Sequence, residues 1–238
     1  MGAGLTTLDC SAHTTREINT FLREHSNASV LGETLSVVLL NPDSRHNIGV
    51  GLVKPLKIRI EGPVGYYCAG LCDGVEVEVA GGAGWGLAEN LMSGKVVLHG
   101  SSGSATGATM RGGLVVVHGD AGARTAAAMK GGTLLVAGDV GVMSCFMMQK
   151  GALIVGGDAG EALGDSLYEG VIYLRGKAQS LGADAHFVEL NPRDTDFLAT
   201  TFFEAGVDFS PGDFQKIESA RRLYNFSTKE KEIWKQAL

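Results

Sequence analysis

Seven glycines, Gly62, Gly81, Gly100, Gly119, Gly138, Gly157 and Gly176, follow one another at a constant spacing of 19 residues. A second column, Gly65, Gly84, Gly103, Gly122, Gly141 and Gly160, keeps the same step. A third holds only small residues: Ala69, Ala88, Gly107, Ala126, Cys145, Gly164 and Ala183. Each unit carries a short apolar run ahead of its turn glycine, from Ile58-Arg59-Ile60 and Val77-Glu78-Val79 through Val96-Val97-Leu98, Val115-Val116-Val117, Leu134-Leu135-Val136 and Leu153-Ile154-Val155 to Ile172-Tyr173-Leu174. Such runs are too short for helices and read as strands. A unit repeated in register, one strand stacked on the last, is a β-solenoid. At ~4.8 Å between strands, seven coils make a rod of about 30 Å.

Alternation assigns the faces. Ile58/Ile60 and Val77/Val79 flank Arg59 and Glu78, so the flanking columns point inward. Cys72, Leu91, Met110, Met129, Met148 and Leu167 form a second inward column, in which the thioethers read as gap filling. The middle column turns apolar in later units, at Val97, Val116, Leu135 and Ile154, and such residues need a cover. Of the 35 glycines, 30 lie between residues 46 and 183. They are expected at coil corners that need either positive φ or close backbone approach. The small-residue column is expected where coils or a covering element come too close for a large side chain.

The flanks differ from the repeat. The division is an N-terminal cap of helix and strand over 1–45, a glycine-rich β-helix over 46–190, and a helical extension over 191–238. Thr14-Thr15-Arg16-Glu17 is a capping box, followed by Ile18, Phe21 and Leu22 on one helix face up to about His25. Leu35–Leu40 reads as a strand, and Phe187–Leu190 as the end of a last partial coil. Pro211 to Tyr224 reads as helical, with Phe214, Ile217 and Tyr224 on one face. Ser227-Thr228-Lys229-Glu230 is a second capping box before a helix carrying Ile233 and Trp234. These flanks either cap the rod or embrace a partner, and both remain open.

Motifs that carry chemistry are scarce. No dinucleotide or P-loop fingerprint, H-E-x-x-H or G-x-S-x-G elbow occurs. Cys10, Cys68, Cys72 and Cys145 lack zinc or iron–sulfur spacing, and Cys72 and Cys145 read as packing. Asp120, Asp139 and Asp158 form a ladder in which a cation site is conceivable. Ser101 and Lys177 continue that column, and carboxylates bonded to turn backbone is the better reading. His99 and His118 share an outward column and lack a third metal ligand. Glu76 and Glu78 alternate on the outer face of one strand, as on a solvated or partner-covered face. A net charge of −6 argues against nucleic-acid and anionic-membrane partners. No signal peptide or bilayer-spanning run is evident, and a cytoplasmic protein is expected.

Several phrases go beyond period and spacing. Gly65-Tyr66-Tyr67-Cys68-Ala69-Gly70, Ala88-Glu89-Asn90-Leu91-Met92-Ser93-Gly94, Gly157-Asp158-Ala159-Gly160 and Leu163-Gly164-Asp165-Ser166-Leu167-Tyr168-Glu169 resemble the glycine-rich (GXGXG) domain closing the glutamate synthase large subunit. With Arg45-His46-Asn47, Leu181-Gly182-Ala183-Asp184 and Leu223-Tyr224-Asn225-Phe226, the chain is similar to the β-helix subunit of N-methylglutamate synthase. The resemblance implies a mainly β fold, a right-handed parallel β-helix of about seven coils with helical flanks. It also implies a scaffold subunit of a methylamine–glutamate N-methyltransferase, which converts methylamine and L-glutamate into N-methyl-L-glutamate and ammonia. A class II glutamine-amidotransferase-like subunit and a glutamate-synthase-like subunit holding FMN and an iron–sulfur cluster would be its partners. It assigns no catalytic, cofactor-binding or metal-binding residue to this chain. Relatives often carry Cys where this chain has Thr125 and Ala185, so no thiol role is carried over there. The matching subunit of a glutamate synthase, or of a formylmethanofuran dehydrogenase or formyltransferase/hydrolase complex, is the alternative. A free-standing ligand-binding solenoid is a third reading.

Overall fold

The computed structural model describes residues 5–28 and 34–223. The chain opens with strand β1 (Leu5–Asp9), helix α1 (Thr15–Ala28) and strand β2 (Ser36–Leu40). Seven strands of the repeat follow: β3 (Lys57–Glu61), β4 (Val75–Val79), β5 (Gly94–Leu98), β6 (Leu114–Val117), β7 (Lys130–Val136), β8 (Lys150–Val155) and β9 (Val171–Leu174). After them come β10 (Ala185–Val188), α2 (Pro192–Ala205) and β11 (Gln215–Ser219). The expected right-handed parallel β-helix is the fold.

Its register is the sequence repeat made physical. Ile58 pairs with Val77, then Val96, Val115, Leu134, Leu153 and Ile172, each step 19 residues. A second line of parallel bridges runs Val64, Ala83, Ser102, Ala121, Val140, Ala159, Ala178 at the same step. Between these walls the two inward columns interdigitate. Met110, Met129 and Met148 are fully buried against Val96, Val115 and Leu134. At about 1.5–3 kcal/mol per buried aliphatic side chain, this filling is the main term holding the coils together.

The corners divide the labour among columns more finely than expected. The first two glycine columns exist for close approach: a Cβ on Gly100 would come 2.8 Å from the Gly81 carbonyl oxygen, and one on Gly141 2.5 Å from the Ala123 nitrogen. Apart from Gly62, left-handed backbone falls outside these two columns, on alternate residues of each corner. From Ala69 to Gly164 the small-residue column has φ of 56–70°, and Asn90 and Arg124 in the columns beside it have φ of 57° and 58°. The small-residue column is therefore small at a buried left-handed bend, where a side chain costs roughly 1 kcal/mol or more.

Both rod ends are closed by the chain itself. Thr14 and Glu17 form the expected capping box, with the Glu17 amide donating to Thr14 Oγ1 and the Thr14 amide to Glu17 Oε2. Ile18 and Leu22 of α1 complete the core, while Asn19 bonds the Asn47 carbonyl (2.7 Å) and the Gly49 amide (2.8 Å) of the first corner. These contacts satisfy backbone groups that a bare solenoid end leaves open. β1 adds a parallel strand beside β2 that the sequence pattern does not predict.

The C-terminal end overturns two expectations. The helix expected over Pro211 to Tyr224 does not form in its described part, 211–223: a single 3₁₀ turn at Pro211–Asp213 leads into β11. β11 runs antiparallel between β9 and β10, so Phe187 and Val188 do not stack on β9 as another coil. An exposed edge at β9 takes whatever strand can pair, and this outweighs the weak local preference of Gln-Lys-Ile-Glu-Ser. The helix of this region is instead α2, capped by Asn191, whose side chain accepts from the Arg193 and Asp194 amides while Asp194 returns a bond to the Asn191 amide. Tyr224 and the second capping box at Ser227–Glu230 lie outside the described residues.

α2 supplies the cover that the apolar middle column demands. Val116, Leu135, Ile154 and Tyr173 are buried beneath Leu198, Phe202, Ala205 and Phe214 in a second core outside the coil. Beneath α2 lies a polar knot. Lys216 Nζ sits 3.0 Å from Asp194 Oδ1 and 2.7 Å from Glu218 Oε1, and the Tyr173 hydroxyl donates to Asp194 Oδ1 at 2.7 Å.

Candidate functional site

The residues that sequence patterns single out sit apart. All four cysteines are reduced and buried. Burial pushes the Cys68 thiol up to about 12 and Cys72 to about 11, and raises Cys145 further, which removes the thiolate that nucleophilic chemistry needs. Cys72 Sγ donates to the Gly49 carbonyl at 2.9 Å. Thr125 is buried and donates to the Gly122 carbonyl at 2.8 Å, while Ala185 opens β10.

The aspartate ladder is occupied by backbone. Asp120, Asp139 and Asp158 each accept, through Oδ1, the amide 19 residues ahead: Asp139 at 2.9 Å, Asp158 at 2.7 Å and Lys177 at 2.7 Å. The column thus stitches one coil to the next, and Ser101 plays the same part for the Asp120 amide at 3.0 Å. Among the described residues no group of three or more His, Cys, Asp or Glu side chains is placed to hold a metal.

The outer face of the first coils is an open cleft of about 820 Å³, floored by charged side chains and rimmed by Phe203 and Gly206 at the end of α2. Glu76 pairs with Lys57 at 3.1 Å, and Glu78 with Arg59 at 2.8 Å and His99 Nε2 at 2.8 Å. The His99 hydrogen bond, then Arg59, hold the Glu78 carboxyl below its usual range despite partial burial. His99 and His118 stack at 5.2 Å with planes 5° apart. Partial burial, then the His99 charge, lower His118. These carboxylates are paired with neighbouring Lys57, Arg59 and His99, so the floor is a compensated polar surface.

Two groupings escaped the sequence reading. One is the Tyr173–Asp194–Lys216–Glu218 knot, which only the positions of α2 and β11 bring together. The other is a ring ladder at the corner of the first coils. His46 stacks on Tyr66 at 4.4 Å, and Tyr66 on Trp85 at 5.6 Å, with interplanar angles of 17° and 20°. Each ring lies over the bare Cα of a glycine one coil on: Gly65, Gly84 and Gly103. Tyr66 and Trp85 stand 19 residues apart, a signal that was in the sequence.

No described helix is long and apolar enough to cross a membrane. No family model matches the chain. A chain of the crystal structure of the formyltransferase/hydrolase complex (FhcABCD) from Methylorubrum extorquens with methylofuran shares the fold. The two superpose with a TM-score of 0.56 at 19% identity, over 86% of this chain and 89% of that one. Among curated relatives, protein GlxC of Rhizobium meliloti (strain 1021) is 50% identical over 221 residues, covering 92% of this chain and 96% of that protein. Identity at that level over nearly the full length of both makes this chain a member of the GlxC family.

Proposed function

We propose that this chain is the non-catalytic scaffold subunit of an N-methylglutamate-synthase-type complex. In it, a class II amidotransferase-like chain and an FMN/iron–sulfur synthase chain do the chemistry on methylamine and L-glutamate. The observation that carries the reading is how the reactive side chains are used. Thiols are buried in the core, the aspartate ladder is bonded to the next coil's backbone, and the Glu76 and Glu78 carboxylates are ion-paired. What such a molecule offers to others is a long, stiff surface. The glutamate-synthase-like repeat phrases support the assignment to an amine-transferring system. A shared fold with a chain of a multi-subunit complex supports hetero-oligomeric use.

The test is to purify the tagged full-length chain alone and after co-expression with the amidotransferase-like and synthase-like chains of its host. The expected isolated chain is colourless and inactive, and the co-purified assembly is yellow-brown and forms N-methylglutamate. Stoichiometric flavin on the isolated chain overturns the proposal. An assembly that acts on ammonia but not on methylamine moves the chain to a glutamate synthase instead.

A further inference from the structure

The corner of the first coils carries exposed aromatic side chains that the later coils lack, where the exposed large apolar residues on this corner are Val142 and Met147. Tyr66, Tyr67, Leu71 and Trp85 are 42%, 47%, 50% and 58% exposed. The corresponding positions on the next coil are Ser104, Ala105 and Thr109. The repeat does not require these side chains, because other coils fold without them. Their geometry is set in advance: each ring is seated on a glycine of the following coil, and Tyr66 and Trp85 are already stacked. Little side-chain entropy remains to be lost when something docks.

One charge marks what docks. Glu89 is half-buried, and among the described residues its carboxylate makes no hydrogen bond or ion pair, although its backbone bonds Leu71 and Gly86. Burial alone pushes its carboxyl upward. It shares the bare Cα of Gly86 with the Tyr67 ring: a methyl group there would lie 2.7 Å from Tyr67 Cδ1 and 3.0 Å from Glu89 Oε2. A carboxylate without a counter-ion beside an exposed aromatic ring is complementary to a planar cation. A guanidinium satisfies both, pairing with the carboxylate through its donors and stacking on the ring, whereas an ammonium lacks the flat face.

Resting on the scaffold reading, we propose that this corner docks a partner subunit through an arginine-bearing loop, with the guanidinium on Tyr67 and Glu89 and apolar neighbours on Trp85, Tyr66 and Leu71. Aromatic anchors around a desolvated charge pair are where interface energy concentrates. The test measures binding of the purified full-length chain to the purified amidotransferase-like and synthase-like chains of its host. Trp85→Ala should weaken one of the two interactions by at least about 30-fold, and Trp85→Phe should restore most of it. Glu89→Gln should weaken the same interaction by about tenfold and flatten its salt dependence. Val142→Ala and Glu161→Gln, on the same corner farther along the rod, should stay within about twofold.

Wild-type binding that is unaltered by Trp85→Ala and Glu89→Gln, in variants that melt like wild type, overturns this surface and leaves the scaffold reading standing. A wild-type chain that binds neither partner overturns both. Self-association of the isolated chain that Trp85→Ala abolishes would give the corner to a second copy and overturn the proposal too.

Discussion

One column of outward residues runs along the outer face of the coil from Arg59 to Tyr173, and its two halves behave oppositely. At Arg59 and Glu78 the column is charged, ion-paired and open to the cleft. At Val116, Leu135, Ile154 and Tyr173 it is apolar and sealed under α2 and Phe214. Inward columns are alike in both halves, because the coil interior imposes the same requirement at every step. The outer column has no such constraint and instead registers what lies over it. A repeat therefore encodes its own fold in the columns that do not vary, and its surroundings in the column that does. Val97, partly buried at the boundary, belongs to the covered side.

The comparison breaks most severely where the cover is removed. Phe202→Ala empties the middle of the aromatic cluster with Phe209 and Phe214, and should cost about 3–5 kcal/mol in chemical denaturation, with gain of dye binding to the uncovered face. Lys216→Ala leaves Asp194 buried without its cation and should cost about 3 kcal/mol. Lys216→Met should recover a good part of that by packing.

The same knot sets the pH response of the cover. Burial works against the Asp194 carboxylate, but bonds from the Asn191 amide, Tyr173 and Lys216 hold it below its ordinary range. A depressed carboxyl contributes stability that is present above its unfolded value near 3.8 and lost as pH falls through the lower folded value. Burial also opposes the charge on Lys216, yet Glu218 and Asp194 raise it, so its contribution is present below 10.5 and lost only above that. Hydrogen exchange of α2 amides should therefore have a protection plateau across neutral pH and lose protection in acid below about 4, and Lys216→Ala should lower the plateau.

The open half should answer far more weakly. Glu78→Ala should shift the melting temperature by less than about 2 °C, because exposed ion pairs contribute little. A loss comparable to Phe202→Ala would mean that this face is sealed in solution. The smallest effect is at His118, whose imidazole should titrate below its ordinary value by NMR and move upward in His99→Ala, where the stacked neighbour's charge is gone.

Much of this is legible in the sequence. Period, strand register, both inward columns and the need for a cover over Val116, Leu135 and Ile154 follow from spacing and alternation alone. The identity of the cover did not, because α2 starts with Asn191…Asp194 and is easily passed over when Ser/Thr with Glu is sought. β11 was misread because five residues of mixed polarity take their conformation from the open edge of β9. The left-handed columns were invisible, since Ala88, Thr109 and Arg124 have no intrinsic preference for that bend and are held there by the coils above and below. Of the corner site, the 19-residue step from Tyr66 to Trp85 was present in the sequence. The isolation of Glu89 was not, because absence of a partner is a three-dimensional fact.

The central claim, that this rod assembles catalytic chains and performs no chemistry itself, is tested most directly by native mass spectrometry of the complex purified through this chain. The account predicts one assembly containing this chain and both enzymatic chains, with FMN released from the synthase-like chain on dissociation. FMN retained by this chain, or its recovery as a lone monomer from cells making both partners, would contradict it.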